Sequence, residues 1–88
     1  MLNAEQNTEK STCFTLSVIV ANRAGALSRI TMLFSKRGYN IDTLTVGPMV
    51  EDPAFSRLIL TSTGDEATKT QIIKQLRKLF DVEEVKTI

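Results

Sequence analysis

Residues 14–30 read FTLSVIVANRAGALSRI, and a change of period inside this stretch decides the fold. From Phe14 to Val20 the side chains of Phe14, Leu16, Val18 and Val20 alternate with Thr15, Ser17 and Ile19. This is the twofold repeat of a strand with one strongly apolar face. Beyond Asn22, Arg23, Ala24 and Gly25, the apolar positions Leu27, Ile30, Leu33 and Phe34 recur at steps of three and four, which stacks them on one stripe of a helix. Gly38 closes that helix by supplying left-handed backbone at little cost, and Lys36 and Arg37 complement the negative end of the dipole. Strand, short junction and amphipathic helix set the frame for everything that follows.

The next segment, Ile41 to Val46, is rich in β-branched residues, with Leu44 and Val46 alternating against Thr43 and Thr45. Pro48 ends its regular ladder because it lacks an N–H. Glu51, Asp52 and Pro53 signal a turn, and Leu58 and Leu60 then alternate against Arg57, Ile59 and Thr61, so the pair reads as a hairpin. Thr63 and Glu66 stand at the spacing of a capping box opening a second helix, whose apolar stripe is Ile72, Ile73, Leu76, Leu79 and Phe80. Val82, Val85 and Ile88 mark a closing strand. The order strand, helix, strand, strand, helix, strand predicts an α+β, ferredoxin-like βαββαβ sandwich: an antiparallel sheet with both helices on one face. Residues 1–12 have low hydrophobicity and no period, which predicts a flexible N-terminal tail ahead of a domain over residues 13–88.

Composition narrows the function. A chain of 88 residues holds one small domain with a thin stability margin, so association with a copy or partner is expected. Eleven Lys and Arg against ten Asp and Glu leave a net charge of +1, too little to drive binding to nucleic acid or an anionic membrane. No apolar run approaches the roughly 20 residues that span a bilayer, and no signal peptide is visible, so a cytoplasmic protein is expected. The single cysteine, Cys13, agrees with a reducing compartment. There is no His to act as a base near neutral pH, and the scattered carboxylates enclose no cation, so neither catalysis nor a metal site is expected. The residues from Ser56 to Thr61 include none of the aromatics with which RNA-binding relatives of this fold stack bases. Lys74, Arg77 and Lys78 read as a solvated, dipole-compensating face.

The informative segment is the junction. Gly25 precedes the first apolar anchor of the helix, so open backbone N–H groups at the positive end of the dipole suit a carboxylate, and the Asn22 amide suits an ammonium or a carboxylate. Equally, Asn22 fits a plain N-cap and Gly25 a plain turn residue. Asn40, just after Gly38 and Tyr39, also fits a turn position.

Residues 15–30, TLSVIVANRAGALSRI, and 33–46, LFSKRGYNIDTLTV, closely resemble the regulatory (small) subunits of acetohydroxyacid synthase, also called acetolactate synthase, whose small-subunit domain is an ACT domain. The likeness continues through Asp52-Pro53, Ser56-Arg57, the run from Thr63 to Glu66 and the run from Leu79 to Val82. It implies a ferredoxin-like module that is not itself an enzyme. The module would activate a catalytic large subunit carrying thiamine diphosphate, FAD and magnesium, bind none of these itself, and confer feedback inhibition by a branched-chain amino acid, most often valine. It further implies a homodimer with merged sheets, the effector lying between the first-helix loop of one copy and the second strand of the other. Position by position, Asn22, Ala24, Gly25, Ala26 and Leu27 match the effector loop, and Asn40 and Ile41 match the segment facing it. Many members carry a further C-terminal domain, so a chain ending at Ile88 resembles the short forms or an ACT-only fragment. The alternative reading is a stand-alone ACT sensor of amino acids serving a different enzyme.

Overall fold

The computed structural model describes residues 11–88. Its elements are β1 (Thr12–Ala21), α1 (Ala26–Arg37), β2 (Thr43–Pro48), β3 (Phe55–Gly64), α2 (Glu66–Arg77) and β4 (Val82–Thr87), in the expected order. The four strands form one antiparallel sheet in the order β2-β3-β1-β4, so β2 and β4 are its edges. Most of the expected tail lies outside the described residues. Thr12, the last residue of that expected tail, pairs with Gly64 and belongs to the sheet.

One face of the sheet carries the core. Phe14, Leu16, Val18 and Val20 from β1 and Leu58 and Leu60 from β3 pack with Ile30 and Phe34 of α1, Ile72 and Leu76 of α2, and Val85 of β4. Leu16, Val18, Ile30, Leu60, Ile72 and Leu76 are wholly removed from solvent, which is worth about 1.5 to 3 kcal/mol for each large aliphatic side chain. On the opposite face of the sheet Ile19 and Ser17 are also buried, in the central strand β1 between β3 and β4.

The apolar stripes shift from the expected ones at both helix boundaries. In α1 the buried positions are Ala26, Ile30 and Phe34, four apart, while Leu27 is 41% exposed. In α2 the regular helix stops at Arg77, so Phe80 falls outside the stripe and stands 85% exposed. The Thr63–Glu66 capping box does not form. Thr63 is held in β3 opposite Cys13, and Asp65 takes over as N-cap, its carboxylate accepting from the Thr68 N–H at 2.8 Å. Gly38 does cap α1 in left-handed backbone, with φ 75°. Pro48 is the last residue of the β2 ladder, opposite Ser56, on an edge strand where a missing N–H is tolerated.

Candidate functional site

The β1–α1 junction is pinned to its surroundings by backbone and side chain alike. Ala21 donates its N–H to the Asp81 carbonyl at 2.8 Å, and Asn22 donates to the Ala54 carbonyl at 2.8 Å. The Asn22 side chain is not the helix cap. Its Nδ2 donates to the Pro53 carbonyl at 3.2 Å, tying the junction to the β2–β3 turn. The cap position belongs to Gly25, at φ 84°, which has no side chain to offer the helix. Ala26 donates its N–H to the Arg23 carbonyl at 3.2 Å. The N–H groups of Gly25, Leu27 and Ser28 have no acceptor among the described residues. These unspent donors gather at the positive end of α1, the local setting in which a carboxylate is bound.

Three residues that sequence reasoning did not single out hold this junction. Asp81, just before β4, is buried, and its carboxylate pairs with Arg29 through Nε–Oδ2 and with Arg23 through Nε–Oδ1 at 3.3 Å. The Arg23 contact is an ion pair without hydrogen-bond alignment, so Oδ1 makes no hydrogen bond. Arg29 also donates from Nη2 to the Ala24 carbonyl at 3.2 Å, and the Arg23 guanidinium lies 4.9 Å from the centre of the Phe80 ring. Asp81 therefore joins the junction to the α2–β4 corner. Its separation of 52 positions from Arg29 hides this from any local pattern.

Asn40 and Ile41 lie beyond the other end of α1. The Asn40 carbonyl accepts from the hydroxyl of buried Ser62, and its Nδ2 donates to Asp42 Oδ1 at 2.7 Å. Asp42 Oδ2 in turn accepts from Thr63 Oγ1 at 2.7 Å. Ile41 is half-buried against the core. A helix of 12 residues is about 18 Å long. Within one copy, then, Asn22, Ala24, Gly25, Ala26 and Leu27 form one group and Asn40 and Ile41 a second, at opposite ends of α1.

Among the described residues no group of three or more His, Cys, Asp or Glu side chains is placed to hold a metal ion. Nor is any helix among them long and apolar enough to cross a membrane.

Residues 16–84 match the family model for the AHAS small subunit-like ACT domain. The isozyme 3 small subunit of acetolactate synthase from Escherichia coli K12 is 55% identical over 67 residues, covering 76% of this chain and 40% of that protein. The small subunit from Buchnera aphidicola of Schizaphis graminum is 54% identical over 67 residues, with 76% of this chain and 42% of that one covered. The chain thus spans less than half the length of these curated relatives. Among solved structures, the acetolactate synthase small subunit of Thermotoga maritima superposes with a TM-score of 0.81 at 38% identity, over 86% of this chain and 47% of that one. The four-stranded order and the two helices agree with this likeness, which spans residues 16–84, and the chain belongs to the family of acetolactate synthase small-subunit ACT domains.

Proposed function

We propose that this chain is the effector-sensing part of an acetolactate synthase regulatory subunit. It has no catalytic role of its own, raises the activity of a catalytic large subunit in the cytoplasm, and confers feedback inhibition by a branched-chain amino acid, valine foremost. Thiamine diphosphate, FAD and magnesium belong to the catalytic subunit in this reading, and none binds here.

One observation carries the effector reading: the two groups of candidate residues stand at opposite ends of α1, so one copy cannot close a site from them. The sheet edge supplies a way to join them. The Pro48 end of β2 lies at the junction end of the sheet, since Pro48 pairs with Ser56 and Ala21 with Phe55. If two β2 edges pair antiparallel, the start of the partner's β2 falls beside the end of this one. Asn40 and Ile41 of one copy then share an end of the merged sheet with Asn22 to Leu27 of the other. In that homodimer the open N–H groups of Gly25, Leu27 and Ser28 take the effector carboxylate, the two asparagines serve its polar groups, and exposed Leu27 and half-buried Ile41 wall its aliphatic side chain. A hydrophobic wall separates ligands by only about 1 to 3 kcal/mol per methylene, so valine, leucine and isoleucine should differ in degree.

Titration calorimetry with these three amino acids, beside a sizing column, tests the reading. A dimer that binds valine saturably supports it. A monomer, or a dimer that takes up none of the three, overturns the cross-dimer site.

A further inference from the structure

The hydrogen bonds around Asn40 fix which way its amide faces. Asn40 Nδ2 donates to Asp42 Oδ1 at 2.7 Å, and a carboxylate oxygen only accepts, so the nitrogen must take the Asp42 side and the carbonyl oxygen the opposite edge. Asp42 is not free to turn. Its second oxygen accepts from Thr63 Oγ1 at 2.7 Å, and its own N–H donates to the Thr61 carbonyl at 2.8 Å. Beneath it, the Asn40 main chain is held by the hydroxyl of Ser62, which is fully buried in β3. Side chain and main chain of an exposed asparagine are thus both anchored from β3.

We propose that Asp42 is a positioning residue that aims the Asn40 carbonyl oxygen at the effector's ammonium. The proposal rests on the cross-dimer reading above. It divides the labour of recognition by chemistry. The junction offers N–H donors to a carboxylate, and the partner copy offers an acceptor to an ammonium. Asn22 follows the same logic, because its Nδ2 is committed to the Pro53 carbonyl, another pure acceptor, which leaves its oxygen on the other edge of the amide. A ligand that fits both halves needs both charged groups of an α-amino acid.

The test compares L-valine with 3-methylbutanoate, which keeps the carboxylate and isopropyl group and lacks the ammonium, by calorimetry on the dimer. Asp42→Ala frees the Asn40 amide to rotate, and valine binding should weaken about tenfold, the scale of one hydrogen bond to a charged group. Binding of 3-methylbutanoate should change less than about twofold, since no ammonium reports on the lost aim. Asp42→Asn should restore most of the valine affinity, because its amide oxygen still accepts from Asn40 while its nitrogen donates to the Thr63 hydroxyl. A thermal melt and sizing column confirm that each variant is a folded dimer. Equal weakening of both ligands means a merely structural role and overturns the proposal, as does unchanged valine affinity in Asp42→Ala. Either result leaves the site reading standing if Asn40→Ala still weakens valine. If Asn40→Ala binds valine as the parent does, the cross-dimer site falls and the proposal with it.

Discussion

Gly25 answers two demands at once, and two substitutions separate them. Its φ of 84° is left-handed backbone, and an added Cβ would lie 2.9 Å from Arg29 Nη1. Gly25→Ala should therefore cost about 1 to 2 kcal/mol, as backbone strain plus displacement of the Arg29 side chain, while leaving the N–H donors open for effector. In the proposed site, Gly25→Asp brings a carboxylate to where the effector's own would sit. Asp tolerates left-handed backbone better than Ala, and its charge at the α1 N-terminus beside Arg29 offsets part of the strain. It should stay within about 1 kcal/mol of the parent in urea unfolding and lose valine binding more than about tenfold in calorimetry. If both variants lose stability and binding in parallel, Gly25 matters only for the shape of the loop.

Asp81 is the residue on which the junction's electrostatics turn. Removing one member of a buried pair can cost about 3 to 5 kcal/mol, but here the arginines are 51% and 48% exposed and rehydrate when the carboxylate is gone. Asp81→Ala should accordingly destabilise by only about 1 to 3 kcal/mol, read as a lower urea midpoint at unchanged slope. A loss below about 0.5 kcal/mol would mean that the three charges merely sit near each other.

At the scale of elements, the proposed dimer rests on β2, an edge strand of the sheet. Val46 shares its register face with Leu44, which packs against the core, yet Val46 is 49% exposed because it lies near the rim. An apolar residue on an unpaired edge invites pairing, and a lysine there is the usual means of preventing it. Val46→Lys should raise the dimer dissociation constant by at least about tenfold in sedimentation while the far-ultraviolet dichroism stays that of the parent. An unchanged dimer would place the contact on another surface.

Elements were also what the sequence disclosed best. The twofold repeat of Phe14 to Val20 and the step to Ile30 and Phe34 are local patterns, and every apolar position they place on the core face is buried; Ser17 and Ile19, on the other face of the central strand β1, are buried as well, which the repeat did not disclose. What misled lay at the boundaries. Thr63 looked like a cap, and only pairing with β1 reveals that β3 runs on to Gly64. Phe80 looked like core because the three-and-four spacing continued past the point where α2 stops. In the site, the donors at Gly25 and Leu27 were legible from one glycine before a helix. The Arg23, Arg29 and Asp81 cluster was not, since charges 52 positions apart carry no shared period.

For the whole molecule, a site built from two copies ties effector binding to assembly. If valine contacts Gly25 to Leu27 of one copy and Asn40 of the other, a lone copy offers only half of its interactions, and the ligand must favour the dimer. Linkage makes the relation reciprocal: whatever factor dimerisation adds to valine affinity at one site, valine adds to dimer affinity for each site it fills. A ligand at a hundred times its dissociation constant stabilises the state it binds by about 2.7 kcal/mol per site, and two equivalent sites double that. Valine at that excess should therefore tighten the dimer by several orders of magnitude, visible in sedimentation at concentrations where the unliganded chain dissociates. Val46→Lys supplies the converse. Weakening the edge should lower apparent valine affinity at low protein concentration and recover it at high concentration, because the strain falls on assembly and leaves the pocket intact. Asn40→Ala should do the opposite, weakening valine at every concentration while the unliganded dimer is unchanged. If valine leaves the dimer constant unmoved, each copy binds its effector alone, and the opposite ends of α1 do not belong to one site.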